Sequence, residues 1–94
     1  MIKTVSILIG NSDDKLSQQE WHEFVNTAKL IVLAHSKSVY FEGGSNNESK
    51  FQNFCFVASL ENDRVYSIKN LFRSLADKYK QDSIAWVEGE TEFI

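Results

Sequence analysis

Ninety-four residues, 43% hydrophobic and 24% charged, have the composition of a globular chain rather than a disordered one. A formal net charge of −3 argues against a broad cationic field for nucleic acid, and the single cysteine, Cys55, excludes an internal disulfide. The longest apolar run, Leu30–Ala34, is far too short to span a bilayer, so one cytoplasmic domain over 1–94, without a targeting segment, is expected.

The elements follow in chain order. In Thr4–Ile9, Val5, Ile7 and Ile9 alternate with Thr4, Ser6 and Leu8, the period of a strand. Gly10, Asn11, Ser12 and Asp13 carry turn chemistry. Ser17-Gln18-Gln19-Glu20 is a capping box, with Leu16 and Trp21 placed as a hydrophobic staple. Trp21, Phe24, Val25, Ala28, Ile31, Val32 and His35 then share one stripe, which predicts a helix over about 18–36.

Lys37–Gly43 alternates again, with Val39 and Phe41 on one face and Tyr40 and Glu42 on the other. A polar stretch over 43–50 reads as a loop joining antiparallel strands. Phe51–Leu60 is apolar on both faces and suits the middle of a sheet, leaving its parity open. Asn62 or Asp63 is placed to cap a second helix carrying Val65, Ile68, Phe72, Leu75, Ala76 and Tyr79. A fourth strand is expected from near Ser83 towards the C-terminus.

The second helical stripe repeats the first at an offset of 44 residues, matching Trp21 to Val65, Phe24 to Ile68 and Ala28 to Phe72. Two strand–helix–strand halves with right-handed crossovers give βαββαβ. The expected fold is therefore a ferredoxin-like α+β sandwich, a four-stranded antiparallel sheet of order 4-1-3-2 with both helices on one face. Its core would hold Val5, Ile7, Ile9, Val39 and Phe41, and its open face Thr4, Ser6, Leu8, Ser38 and Tyr40. That fold hosts many functions, so function must be argued from a site.

Several residues are candidates. Ile7-Leu8-Ile9-Gly10-Asn11-Ser12 and Asn53-Phe54-Cys55-Phe56-Val57 resemble the two strand signatures of RNA-recognition-motif domains. The resemblance implies base stacking on Leu8, Phe54 and Phe56. Leu8 and Ser59 stand where such domains usually carry aromatics. Separately, Lys69, Arg73 and Lys80 on one flank of the second helix are either a solvated face or phosphate contacts. Asp13 and Asp14 are paired carboxylates of the type that hold Mg²⁺. With Ser38–Gly43 and Asp82-Ser83-Ile84 they resemble parts of the Cas2 family, which implies a metal-dependent nuclease. His22, His35 and Cys55 show neither CxxC nor HxxxH spacing, and no catalytic set is assigned to them.

Two features point to a protein partner instead. On a wheel of roughly 100° per residue, Leu30 falls about 180° and Leu33 about 120° from Trp21, with Ala34 extending the strip. Leucines on the wet side of a helix suggest a contact surface. Glu88, Glu90 and Glu92 share strand parity in a twelve-residue terminus devoid of Lys and Arg, while the rest of the chain carries ten acids and ten bases. With Trp86 and Phe93 they form a candidate edge, too apolar for a free tail.

Finally, Phe51-Gln52-Asn53-Phe54-Cys55-Phe56, Gln81-Asp82-Ser83-Ile84-Ala85-Trp86 and Thr91-Glu92-Phe93-Ile94 resemble small proteins of bacteria and their phages with no established activity. The resemblance implies a stand-alone domain and no chemistry. Gln52, Asn53, Gln81 and Asp82 either bind a ligand or satisfy neighbouring backbone groups. The leading expectation is a non-enzymatic interaction module without cofactor: a homo-oligomer, an adaptor or an inhibitor of a larger protein. Its partner-binding residues would be Leu30, Leu33, Ala34, Trp86, Glu88, Glu90 and Phe93.

Overall fold

A computed structural model describes residues 2–11, 15–45 and 52–94. The elements are β1 (Ile2–Asn11), α1 (Gln18–His35), β2 (Ser38–Gly44), β3 (Gln52–Glu61), a 3₁₀ turn (Asn62–Arg64), α2 (Val65–Lys78) and β4 (Ala85–Gly89). All strand pairs are antiparallel, in the order β2-β3-β1-β4, which is the expected 4-1-3-2 order read from the other edge.

The period-2 pattern of β1 sets the layers. Val5, Ile7 and Ile9 point under the helices and are buried, as are Phe56, Ala58 and Leu60 of β3. The parity that the sequence leaves open is thereby settled: Phe54 and Phe56 face the core. Trp21, Phe24, Ala28 and Val32 come down from α1, and Val65, Ile68, Phe72 and Leu75 from α2. Phe24 stacks on Tyr79 with ring centroids 5.0 Å apart and meets the edge of Trp21 at 5.9 Å, which ties the two helices together. Each such fully buried side chain is worth roughly 1.5–3 kcal/mol of transfer free energy.

Helix α1 starts as its sequence demands. The Glu20 amide donates to Ser17 Oγ at 3.1 Å, and the Ser17 amide donates to Glu20 Oε1 at 3.0 Å. Helix α2 departs from expectation, because neither Asn62 nor Asp63 caps it through a side chain. The chain enters through the 3₁₀ turn, and Val65 is the first α-helical residue. Past Lys78 the helix ends with Lys80 in the left-handed region (φ 56°), and the Gln81 amide closes the turn on the Ala76 carbonyl at 2.8 Å. Glycine usually occupies that position.

Strand β2 brings a second correction. Val39 lies opposite Ala58, but Phe41 lies opposite Val57, so Tyr40 is an extra residue in a β-bulge. One inserted residue reverses the parity of everything after it. Phe41 therefore leaves the expected core position and joins the open face, 57% exposed. Its ring lies over Gly43, where a Cβ would come within 2.9 Å of Phe41 Cζ.

Two outcomes follow for stability. Lys80→Gly relieves a backbone conformation unfavourable to a side chain and should stabilise the fold by up to about 1 kcal/mol in urea unfolding. The Glu20 carboxyl is held below its ordinary value, first by the Ser17 amide and then by the Ser17 hydroxyl. The contribution of the cap is thus complete above the ordinary glutamate value and is lost as pH falls through the depressed one. Glu20→Gln should flatten that part of the stability–pH curve.

Candidate functional site

The open side of the sheet forms three rows running β2 to β4. Phe41, Val57, Ser6 and Val87 make one, and Gly43, Cys55, Leu8 and Ala85 the next. Ser38, Ser59, Thr4 and Gly89 make the third. None of these twelve residues is charged. Leu8 and Val87 are 44% and 60% exposed, and with Phe41 they make a contiguous apolar patch. The Cys55 thiol sits half-buried within it, and burial pushes its pKa up, so it is a poor nucleophile at neutral pH.

This arrangement overturns the base-stacking platform. Leu8 projects from the open face, whereas Phe56 is fully buried and Phe54 packs against the core on the other side. Phe54 and Phe56 contact each other at 5.0 Å beneath the helices, so the three cannot stack bases on one surface. Lys69 and Arg73 lie on α2, across the sheet from Leu8. Asp13 and Asp14 lie outside the described residues. Cys55 is on the open face, while His22 and His35 are about 20 Å apart along α1 at about 1.5 Å per residue. Among the described residues no three His, Cys, Asp or Glu side chains come together as a metal site.

The candidate amides and their neighbour Asn11 make hydrogen bonds within the fold. Asn11 Oδ1 accepts from the Leu16 amide at 3.0 Å, and Asn11 Nδ2 donates to the Leu16 carbonyl at 3.1 Å. Gln52 and Gln18 exchange two bonds, at 2.8 and 3.0 Å. Asn11 and Gln52 are both almost wholly buried. The Asn53 amide donates to Ser45 Oγ, Gln81 Nε2 donates to the Tyr79 carbonyl, and Asp82 pairs with Lys15 at 3.5 Å. In the sequence Asn11 has the chemistry of a turn residue, and only its apolar neighbours Ile7 and Ile9 at the same parity mark it as a buried clamp.

The partner-binding candidates divide between two places. Leu30 and Leu33 are 67% and 58% exposed on the outer side of α1, as the wheel predicts, and Ala34 is exposed beside them. Trp86 and Glu88 face the helix side of β4. The Lys69 ammonium lies 3.0 Å from Glu88 Oε1 and 5.5 Å from the centre of the Trp86 ring. The strand ends at Gly89, so Glu90 and Glu92 continue no comb within it. Phe93 and Ile94 are solvent-exposed rather than pinned to their own sheet.

A groove missed by sequence reading runs between α2 and the segment leading into β4. It has a volume of about 630 Å³ and is floored by Phe72, Ala76, Ile84 and Trp86. Phe72 and Trp86 meet edge to face, with ring centroids 6.4 Å apart. No sequence signal announces it, because it lies between elements, where α2 meets the edge strand β4 and the segment before it.

Three solved structures share this architecture. A dimeric ferredoxin-like protein of unknown function from Thermobifida fusca YX superposes with a TM-score of 0.61 at 11% identity, over 96% of this chain and 92% of that one. SnoaB, a cofactor-independent oxygenase from Streptomyces nogalater, gives 0.57 at 7% identity, over 99% and 94%. A dimeric ferredoxin-like protein from an uncultured marine organism gives 0.50 at 13% identity, over 99% and 91%. No protein-family model and no curated protein matches the sequence. The fold is ferredoxin-like, and at these identities the likeness extends to the fold alone. No described helix is long and apolar enough to cross a membrane.

Asn11→Ala removes both bonds to Leu16 and leaves its buried amide and carbonyl unpaired. A loss of about 2–4 kcal/mol is expected in thermal or urea unfolding, taking each orphaned group at about 1–2 kcal/mol. Because the clamp is structural, the variant should keep the oligomeric state of the parent protein.

Proposed function

We propose that this protein is a non-enzymatic binding module, a single domain that works as a homodimer formed by stacking two open sheet faces. The observation that carries this reading is the charge-free patch around Leu8, Phe41 and Val87. Four strands at about 4.8 Å spacing and seven residues at about 3.3 Å present on the order of 450 Å² in projection, and more as rough accessible surface. Specific dimers bury about 800 Å² per partner, and the largest exposed apolar patch of a protein is often its contact surface. A self-complementary face suits twofold symmetry, because each copy offers the same rows. Two of the structures sharing the fold are themselves described as dimeric.

The tail supports the same reading. Extending the pairing of Thr4 with Gly89 would set Glu90 beside Lys3 and Thr91 beside Ile2, the first described residue of β1. Phe93 and Ile94 then overhang their own sheet, where a second copy would cover them. Stacked sheets leave Leu30, Leu33 and Ala34 outward on each protomer, free to receive a larger protein as adaptor or inhibitor.

Light scattering of the parent protein should give a dimer, and Leu8→Glu with Val87→Glu should give a folded monomer. Leu30→Glu with Leu33→Glu should leave the dimer intact. Alkylation of Cys55 should run severalfold faster in the Leu8/Val87 variant than in the parent, whose partner covers the thiol. A dimer dissociated by the α1 pair and untouched by the sheet pair would place the interface on the helix and remove the proposal.

A further inference from the structure

The α2–β4 groove carries an inference independent of the dimer, because it opens on the helix side of β4, away from the stacked faces. Its 630 Å³ lies within the range of about 300–1,000 Å³ typical of small-molecule sites. One wall is flat and apolar: the Phe72 and Trp86 rings, with Ile84 and Ala76 beside them.

The charges around it are unequally committed. Lys69 is held by Glu88 at 3.0 Å, and Asp82 by Lys15 at 3.5 Å. Arg73 donates to the neutral Asn70 Oδ1 at 2.7 Å and, among the described residues, pairs with no carboxylate. Its guanidinium keeps most of its five donors for a planar, bidentate acceptor. Asp77, one turn further along α2, likewise has no ion-pair partner among the described residues and would repel a second carboxylate on a ligand. The indole Nε1–H of Trp86 is buried with no acceptor, which is rare for a polar group in a settled structure. Its ring lines the groove beside Phe72.

We infer that the groove between α2 and β4 binds a small aryl monocarboxylate, its ring lying on Phe72 and Trp86 and its carboxylate on Arg73. A flat apolar wall and one guanidinium without a carboxylate partner among the described residues favour a planar apolar body with a single negative head.

Phenylacetate titrated into ¹⁵N-labelled protein tests this directly, because the two tryptophan indoles give separate signals. The Trp86 indole and the amides of Ile84–Trp86 should shift saturably, with Kd on the order of 1 mM, while the indole of buried Trp21 stays in place. Arg73→Gln should weaken phenylacetate about tenfold, the size expected of one lost charge-assisted contact, and leave phenethyl alcohol unchanged. Phenethylamine should bind more weakly than phenylacetate. Arg73 is exposed, so the variant should keep the parent melting temperature. Equal binding of the acid, the alcohol and the amine would overturn the inference, as would phenylacetate shifts unaffected by Arg73→Gln, or no saturable shift at Trp86.

Discussion

The alternation of β1 is the constraint on which the rest depends. β1 is the inner strand shared by β3 and β4, so its parity is imposed on both neighbours through the hydrogen-bonded register. Once Val5, Ile7 and Ile9 are committed to the helices, Phe56 and Ala58 must follow on one side and Trp86 on the other. The same step sends Leu8, Val57 and Val87 outward. The open face is therefore the second half of the pattern that builds the core, because an alternating strand sends one set of side chains to each side.

How much of this is legible in the sequence depends on whether the controlling interaction is local. The stripes of α1 and α2 repeat every three or four residues, and the capping box lies within four, so helix positions and sheet order follow from the chain alone. Phe51–Leu60 is different: both of its faces are apolar, and its orientation is decided by pairing Ile7 with Phe56, forty-nine positions away. The bulge at Tyr40 is equally remote from local pattern. Val39 and Phe41 look equivalent until the strand is paired, and only then does one extra residue put Phe41 on the opposite side.

The same distinction separates the candidate sites. Leu30 and Leu33 follow from helical geometry, and the structure leaves them outward. The stacking platform required Leu8 and Phe56 to share a side, and strand parity forbids it, since Ile7 rather than Leu8 lies opposite Phe56. The groove could not be read at all, because it lies between layers, with walls from α2 and from β4, a five-residue edge strand. The edge at β2 is protected by its bulge, a common device against unwanted pairing. β4 shows no bulge in its pairing, and the Lys69–Glu88 pair and the Trp86 ring join it to α2.

β4 is where the two proposed activities meet without competing. Val87 turns to the open face, and its sequence neighbours Trp86 and Glu88 turn to the groove, so adjacent residues serve opposite surfaces. Stacking two sheets would cover Val87 on one side and leave the groove beside Trp86 open on the other.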